Sequence, residues 1–490
     1  MLVVPLKNRL VEAEARSILL VAWKLCGIRA VRLLTRVMLA IPRLFCVLIS
    51  VSFASLAFAD GPVLTLKPDH ADGIYALNEN VVWTVDITSG DRTSMTAMPY
   101  TVKKDGLTDV AKGTIDLSAG PATITATRAE PGALLAQVYS PTAPHGLAIA
   151  FGGAVYDPDH IGLAVPEPAD FGAFWQGKLK ELAAVPLNPV VEKVDVSSVK
   201  NSAGIDYYKV TLDNIRGTHV HGQLARPTKG DKFPAILMLQ FAGVYGLDKG
   251  QVIAQAMPGW LALNISAHDL PIDESDDYYK NLKAGALKDY FYIGSEDRET
   301  SYFLRMFLGC VQAEKYLESR PDWDGKTLVV TGTSQGGLQS FVTAGLCPKV
   351  TGMMVLVPAG CDVYGPLGNP PRQFGWPYWL APWGAKGRDM KKVQETAGYF
   401  DAAYFASRIH CPSLVAVALL DEAARPGGVI AAYNEIKAPK KLDIMPLSNH
   451  YGTGGAQADY FKDYYAWKTA IQKDQPVPIP TVADAAPNTK

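Results

Sequence analysis

The stretch Thr327-Leu-Val-Val-Thr-Gly-Thr-Ser-Gln-Gly-Gly337 has the residue types that a nucleophilic serine needs. Its first five residues form a β-branched apolar run, which is typical of a buried strand. Gly332-Thr-Ser-Gln-Gly336 is a G-x-S-x-G pattern, and residues 338–346 can be helical. A strand, a tight turn and a helix around such a serine form a nucleophile elbow, whose glycines allow the backbone to turn sharply. The pattern predicts that Ser334 is a nucleophile, and a glycine-rich turn with an ordinary serine is the alternative.

A serine hydroxyl needs a base to remove its proton, and the base needs an acid to orient it. In enzymes with a nucleophile elbow the order along the chain is serine, acid, histidine, each on a loop after a strand. Two histidines follow Ser334. His410 precedes the apolar run that begins at Ser413, which is the wrong end of a strand. His450 follows the last predicted strand and is therefore the predicted base.

Three carboxylates are candidates for the acid. Asp421 directly follows the predicted strand at 413–420, and this position favours it. Glu422 is the next residue. Asp362 follows the preceding strand, where acids also occur in this kind of enzyme. We predict Asp421 as the acid, with the other two as rivals.

The oxyanion of a tetrahedral intermediate needs backbone N–H donors. The residue after the nucleophile, Gln335, should supply one of them. The other should come from the loop Phe241-Ala-Gly-Val-Tyr-Gly246, which follows the predicted strand at 235–240. Within that loop we predict Gly243 as the donor.

The elements that must position these residues alternate between strand and helix from about residue 190 onward. An amphipathic helix is predicted over 301–318, because its apolar residues recur at helical spacing. Alternation of this kind indicates a mostly parallel α/β sheet covered on both sides. Strands are predicted at 191–196, 207–212, 219–225, 235–240, 260–265, 327–331, 352–357, 413–420 and 441–445.

Residues 60–155 have short alternating runs with turn signals, including Lys104-Asp-Gly106. This spacing predicts a small all-β, sandwich-like domain. It has no cluster of catalytic residue types, so a packing or spacing module is expected, with a carbohydrate-contacting module as the alternative. The α/β domain is predicted over 156–473, beginning with a linker at 156–166, and residues 474–490 are predicted to be a disordered tail.

The first 59 residues are predicted to be a leader. A basic start at Met38, an apolar run over 44–56 and the site Ala57-Phe-Ala59 indicate a signal peptide over 38–59. For residues 1–37 we favour a start codon that was assigned too early. The alternative is that the leader is a membrane anchor, but the apolar run over 44–56 is short for a membrane span. We expect a mature chain from about Asp60, exported to the periplasm or the medium, with no stable membrane span.

The composition argues against several partner classes. The chain has 490 residues and a formal net charge of −1, so nothing suggests a nucleic acid partner. The eight histidines lack metal-ligand spacing and no Cys-x-x-Cys pair occurs, so we predict neither a metal nor a cofactor. Four cysteines follow residue 60: Cys310, Cys347, Cys361 and Cys411. They can form disulfides if the chain is exported, but their apolar surroundings suit buried free thiols equally well.

Residues 363–400 are rich in aromatic residues set between prolines and glycines. An insertion of this length is usually functional or disordered, and the aromatic content argues against disorder. We predict a lid or a pocket wall that includes Trp376 and Trp379. A hydrophobic cluster that only packs is the alternative.

Over about residues 165–465 the chain resembles acetyl xylan esterases and cephalosporin-C deacetylases, the seventh carbohydrate esterase family. Pro168-Ala-Asp-Phe-Gly-Ala-Phe-Trp175 resembles the family's opening helix, and Gly332-Thr-Ser-Gln-Gly-Gly337 its G-G-S-Q-G-G motif. Leu420-Asp421 and Ser448-Asn-His450 resemble its acid and base loops. The resemblance implies an α/β-hydrolase fold and a triad of Ser334, Asp421 and His450. It also implies oxyanion donors at Gln335 and in the loop 241–246.

Three features depart from the family pattern. Ala267-His268-Asp269 stands where the family has R-G-Q, Tyr451 follows the base where the family has glutamate, and the family lacks a domain like residues 61–155. Family members use these regions to shape the pocket mouth and to assemble. We therefore predict that His268 and Asp269 line the pocket, with local structure as the alternative for both. We also predict Tyr245 as a pocket residue.

The expected function is that of a secreted serine esterase acting through an acyl-enzyme. Its expected substrate is acetyl xylan, another acetylated oligosaccharide or a small acetyl ester. A serine peptidase on the same fold and a non-catalytic carbohydrate-binding protein are the alternatives. The sequence leaves the choice of substrate and a homo-oligomeric state open.

Overall fold

The computed structural model describes residues 63–140, 148–385 and 387–479. The predicted leader and most of the predicted tail lie outside these residues. Among the described residues, no helix combines the length and the apolar character that crossing a bilayer requires.

Two sheets form the N-terminal β domain. One has the strand order β1-β3-β6, and the other has the order β2-β8-β7-β4-β5. Side chains alternate in and out along β3, so that Val81, Trp83 and Val85 are buried in a core shared by both sheets. The predicted sandwich-like domain is confirmed. Its strands are β1 Val63–Pro68, β2 Ile74–Tyr75, β3 Asn80–Ser89, β4 Met98–Lys104, β5 Thr108–Ile115, β6 Ala122–Thr127, β7 Gly132–Tyr139 and β8 Ala148–Tyr156.

A nine-stranded sheet organises the rest of the chain, in the order β17-β16-β15-β14-β12-β13-β11-β10-β9. The six strands from β17 to β13 are parallel, and β11, β10 and β9 continue the sheet in antiparallel pairs. The predicted mostly parallel sheet is confirmed. The strands are β9 Val190–Lys193, β10 Ile205–Asp213, β11 His219–Pro227, β12 Phe233–Leu239, β13 Leu261–Ile265, β14 Trp323–Thr333, β15 Gly352–Leu356, β16 Ser413–Ala418 and β17 Lys440–Met445.

Helices pack against this sheet. The longest, α4, buries 14 of its 18 residues, which is why its sequence is apolar on more than one face. The helices are α1 Phe171–Ala183, α2 Lys249–Ala256, α3 Asp276–Ala284, α4 Tyr302–Ser319, α5 Gln335–Leu346, α6 Met390–Ala397, α7 Ala402–Ala406, α8 Pro426–Glu435 and α9 Ala458–Gln472.

The aromatic insertion is built from turns, two short 3₁₀ helices and α6. Trp376 and Trp379 are buried in the core of the α/β domain, where both rings pack against Phe303 of α4. Trp383 is 52% exposed. The insertion therefore packs through its tryptophans at 376 and 379, while Trp383 faces solvent, and its role as a lid or pocket wall stays a prediction.

The four cysteines after residue 60 are free. Cys310, Cys347 and Cys411 are buried, and burial raises the pKa of each thiol. Of the two predicted states of these cysteines, the structure has the free thiols.

Candidate active site

Ser334 lies at the sharp turn between β14 and α5. Its backbone has φ 57° and ψ −119°, a conformation that L-residues rarely adopt and that a nucleophile elbow requires. Two glycines make the turn possible. A Cβ on Gly332 would lie 2.3 Å from the carbonyl carbon of Gly336, and a Cβ on Gly336 would lie 2.2 Å from the Leu239 carbonyl oxygen.

The three residues predicted for the triad come together across three loops. His450 Nε2 lies 2.9 Å from Ser334 Oγ, and His450 Nδ1 lies 2.6 Å from Asp421 Oδ2. Both distances are within the reach that proton transfer needs. Because an acid at Nδ1 holds the ring with its proton on that nitrogen, Nε2 is left free to accept the serine proton.

The Asp421 carboxylate is held by its own loop. Its Oδ1 accepts hydrogen bonds from the backbone N–H groups of Ala423 (2.7 Å) and Ala424 (2.8 Å). The side chain is buried, and Oδ2 is left to face His450. Two backbone donors fix the rotation of the carboxylate, so that one oxygen points at the imidazole.

The rival residues are engaged elsewhere or lie at the surface. Asp362 Oδ1 accepts from the Ala164 N–H (2.9 Å), and Oδ2 pairs with Arg372. Glu422 and His410 are exposed. In this structure the residue that contacts His450 Nδ1 is Asp421.

Of the two predicted oxyanion donors, Gln335 directly follows the nucleophile, and Gly243 lies in the loop after β12. Gln335 is the first residue of α5, where backbone N–H groups are free of helical partners. Gly243 has φ 133°, and its carbonyl oxygen lies 2.8 Å from His268 Nε2. The His268 ring therefore holds this part of the loop through the Gly243 carbonyl.

A buried polar network supports this loop and was not predicted from the sequence. The Tyr290 hydroxyl donates to Gln335 Oε1. Gln240 Nε2 donates to the Tyr245 carbonyl, and Gln240 Oε1 accepts from the Ala267 N–H. No local pattern marks these residues, because each one acts through a partner far along the chain.

His268 belongs to the same network. Its Nδ1 lies 2.6 Å from the Tyr302 hydroxyl and its Nε2 faces the Gly243 carbonyl, so both ring nitrogens have partners. The pKa of His268 is lowered to about 4, chiefly by burial; the hydrogen bond to the Gly243 carbonyl opposes this shift and the positive charge of Arg305 adds to it. The neutral ring donates to Gly243 and accepts from Tyr302.

The residues predicted to line the pocket are mostly packed. His268, Trp376 and Trp379 are buried, and the Trp379 indole donates to the Phe291 carbonyl. The Tyr245 hydroxyl donates to the Phe241 carbonyl, and the two rings lie 4.8 Å apart. Phe241 (48% exposed) and Tyr451 (86% exposed) present aromatic surface beside the oxyanion loop and His450, and neither was predicted as a pocket residue.

Comparisons of the sequence with known proteins point to one family. The family described as acetyl xylan esterase (AXE1) matches residues 163–469. The acetyl esterase Axe7A of Xylanibacter ruminicola is 29% identical over 391 residues, which cover 79% of this chain and 86% of that protein.

Solved structures show the same fold. The acetyl xylan esterase of Paenibacillus sp. R4 aligns with a TM-score of 0.52 at 23% identity, over 63% of this chain and 98% of that one. Acetyl xylan esterase 1 of Thermoanaerobacterium sp. JW/SL YS485 aligns with a TM-score of 0.52 at 21% identity, over 63% and 97%. The predicted α/β-hydrolase fold is thereby confirmed.

Proposed function

Because the chain belongs to the acetyl xylan esterase family and is a carboxylic ester hydrolase, we propose that it removes acetyl groups from carbohydrates through Ser334, His450 and Asp421. The observation that carries this proposal is the unbroken path from the buried Asp421 carboxylate through the imidazole to Ser334 Oγ, with contacts of 2.6 and 2.9 Å. This arrangement suits acyl transfer through a covalent intermediate.

The proposed reaction has two halves. In the first, His450 Nε2 takes the Ser334 proton as Oγ attacks the acetyl carbon, and the same proton then passes to the departing sugar oxygen. In the second, His450 takes a proton from water, which attacks the acetyl-serine; the bond from the acetyl carbon to Oγ breaks, His450 returns the proton to Ser334 Oγ, and acetate is released. Asp421 stabilises the imidazolium that forms in each half. The Gln335 N–H and a donor of the loop 241–246 are proposed to hold the oxyanion.

An acetylated carbohydrate is the proposed substrate class because the matching family is named for acetyl xylan and the curated relative is named an acetyl esterase. Acetylated xylan, an acetylated oligosaccharide and a small acetyl ester all share the bond that is cleaved. A panel of these three esters, assayed for acetate release, separates them. A chain that cleaved only peptide substrates would contradict the proposal.

The variant Ser334→Ala tests the nucleophile. Removing Oγ should lower kcat for acetate release by roughly 10⁴-fold or more, because the acyl-enzyme can no longer form. Labelling by an organophosphonate probe should be lost at the same time, since only an activated serine reacts.

Ser340→Ala is the matched control. It makes the same change within helix α5, which follows the elbow, and Ser340 Oγ donates there to the Gly336 carbonyl. Its activity should stay close to that of the parent. An active, unlabelled Ser334→Ala variant would overturn the assignment of the nucleophile.

A further inference from the structure

We propose that His219, His221 and Asp269 bind a divalent transition-metal ion on the face of the sheet formed by β10, β11 and β13. The two histidines are the first and third residues of β11, so their side chains point to the same face. Asp269 lies in the loop after β13. Because β11 and β13 are antiparallel, the start of β11 lies beside the end of β13, and the Ser266 N–H donates to the His221 carbonyl (2.8 Å).

The donor atoms have the separations that a metal ion imposes on its ligands. Asp269 Oδ1 lies 3.0 Å from His221 Nε2 and 3.6 Å from His219 Nδ1, and all three donors lie within 4.8 Å of one another. Zinc bonds to histidine and carboxylate are about 2.0–2.2 Å long, so neighbouring ligands on a tetrahedral ion lie about 3.4 Å apart. One ion can therefore reach all three atoms with small side-chain movements.

The other polar atoms of these residues already have the partners that metal ligands usually have. His221 Nδ1 lies 3.3 Å from Thr211 Oγ1, and His219 Nε2 lies 3.9 Å from Asp213 Oδ1. Asp269 Oδ2 accepts from the His219 backbone N–H (3.1 Å). The Thr211 contact orients the His221 ring and the His219 N–H holds Asp269, whereas Asp213 is close enough to attract a charged His219 ring but not to orient it by a hydrogen bond.

The exposure and the chemistry of the site suit such an ion. The side chains of His219, His221 and Asp269 are 46%, 21% and 30% exposed, so an ion can enter from solvent and keep water as a further ligand. Two imidazoles and one carboxylate favour zinc and its transition-metal neighbours over calcium or magnesium, which prefer oxygen ligands. Within the part of the chain that the structure describes, no other group of three or more histidine, cysteine or acidic residues meets this geometry.

The role that follows is a structural clamp separate from the ester chemistry. A bound ion would tie the start of β11 to the loop after β13. The residue before Asp269 is His268, which supports the oxyanion loop through Gly243. The ion would therefore stabilise the scaffold behind the active site, while Ser334 and His450 would need no metal.

Titration of the metal-stripped full chain with Zn²⁺ against a chromophoric chelator tests the site, and Co²⁺ absorption reports its geometry. We expect one equivalent to bind and to raise Tm, because an ion that binds only the folded chain stabilises it. The variants His221→Ala and Asp269→Asn should bind at least about 100-fold more weakly. Thr211→Val should lose about tenfold, the effect expected of an outer partner.

His160→Ala is the matched control, because His160 is an exposed histidine that contacts only the single carboxylate of Asp157. Its affinity for Zn²⁺ should equal that of the parent. His219→Ala covers the case in which a variant fails to fold, since His219 is the most exposed of the three residues. Absence of binding by the parent, or unchanged affinity in the ligand variants, would show that the cluster is only a hydrogen-bonded surface triad.

Discussion

At the scale of single residues, the site depends on how each polar group is held. Asp421 is fixed by two backbone donors, and His450 is fixed by Asp421. His268 is fixed by Tyr302 and Gly243 and stays neutral in the folded chain. His450 is proposed to move protons between Ser334 and the substrate, and Asp421 to orient His450. His268 holds the backbone of the loop 241–246 through Gly243.

The buried position of His268 makes the stability of the fold depend on pH. Its pKa is about 4 in the folded chain, against an ordinary value of 6.5. Below pH 6.5 the imidazole takes up a proton in the unfolded chain but not in the folded chain, and this favours unfolding. The contribution of His268 to the free energy of unfolding is therefore complete above pH 6.5 and is lost as the pH falls towards 4. The loss amounts to roughly 3 kcal/mol by pH 4.

Thermal unfolding at a series of pH values between 4 and 7 measures this effect. The variant His268→Gln lacks the titrating group, so its Tm should fall less steeply with decreasing pH than that of the parent, whatever its Tm at neutral pH. Parallel curves for the two proteins would contradict a neutral, buried His268.

At the scale of elements, strand β8 of the sandwich packs against the segment that leads to the acid. A Cβ on Gly153 would lie 2.5 Å from Leu419 Cβ and 3.2 Å from the Leu419 carbonyl group. Leu419 stands two residues before Asp421. The contact between Gly153 and Leu419 therefore lets β8, which carries no catalytic residue, affect where Asp421 lies.

The variant Gly153→Ala should lower kcat for acetyl ester hydrolysis by at least about tenfold, because displacement of a catalytic group by about 1 Å can cost up to 100-fold. Steady-state kinetics on a small acetyl ester measures the change. Two further variants separate the effect on the acid loop from a general effect on the sandwich.

The first control is Gly120→Ala, where an added Cβ meets nothing within 4 Å and activity should be kept. The second is Gly152→Ala, whose Cβ would meet Trp83 inside the sandwich at 2.7 Å. This variant should lower Tm with a smaller effect on kcat. Equal loss of kcat in the variants at 152 and 153 would show that the contact with Leu419 has no special role.

At the scale of the whole molecule, the sandwich and the α/β domain meet beside the acid loop. The Gln373 N–H donates to the carbonyl of Asp105, in the hairpin turn between β4 and β5. A small cleft next to it is lined by residues of both domains, among them Asp105, Arg425 and Asp421. The hairpin turn predicted at Lys104-Asp-Gly106 thus lies near the candidate active site but contributes no catalytic group.

We also propose that the protein is exported and cleaved after Ala59. The support is the pattern of Met38 to Ala59 together with the start of β1 at Val63, because cleavage there leaves the first strand of the sandwich whole. N-terminal sequencing of the protein recovered from the periplasm or the medium should begin at Asp60. Recovery of an uncleaved chain in the membrane fraction would favour the anchor instead.

Much of the site could be predicted from the sequence because its chemistry depends on local signals. The elbow glycines and the ends of the apolar runs lie within short windows, and the order of serine, acid and histidine can be read along the chain without knowing any contact. Boundaries were less accurate: α5 begins at Gln335 instead of residue 338, because the packing of the elbow overrides the low helix propensity of Gly336 and Gly337. The tryptophans at 376 and 379 were predicted for the pocket wall, yet they fill the core.

The sequence by itself determined the fold class, the family and the order of the three proposed catalytic residues, because periodicity and motifs are properties of neighbouring positions. Only the tertiary structure decided which carboxylate faces His450, that His268 supports a loop from behind, and that Asp269 meets His219 and His221. Those contacts join residues 25 to 50 positions apart. The distance between such residues is set by strand order and packing, which no local pattern records.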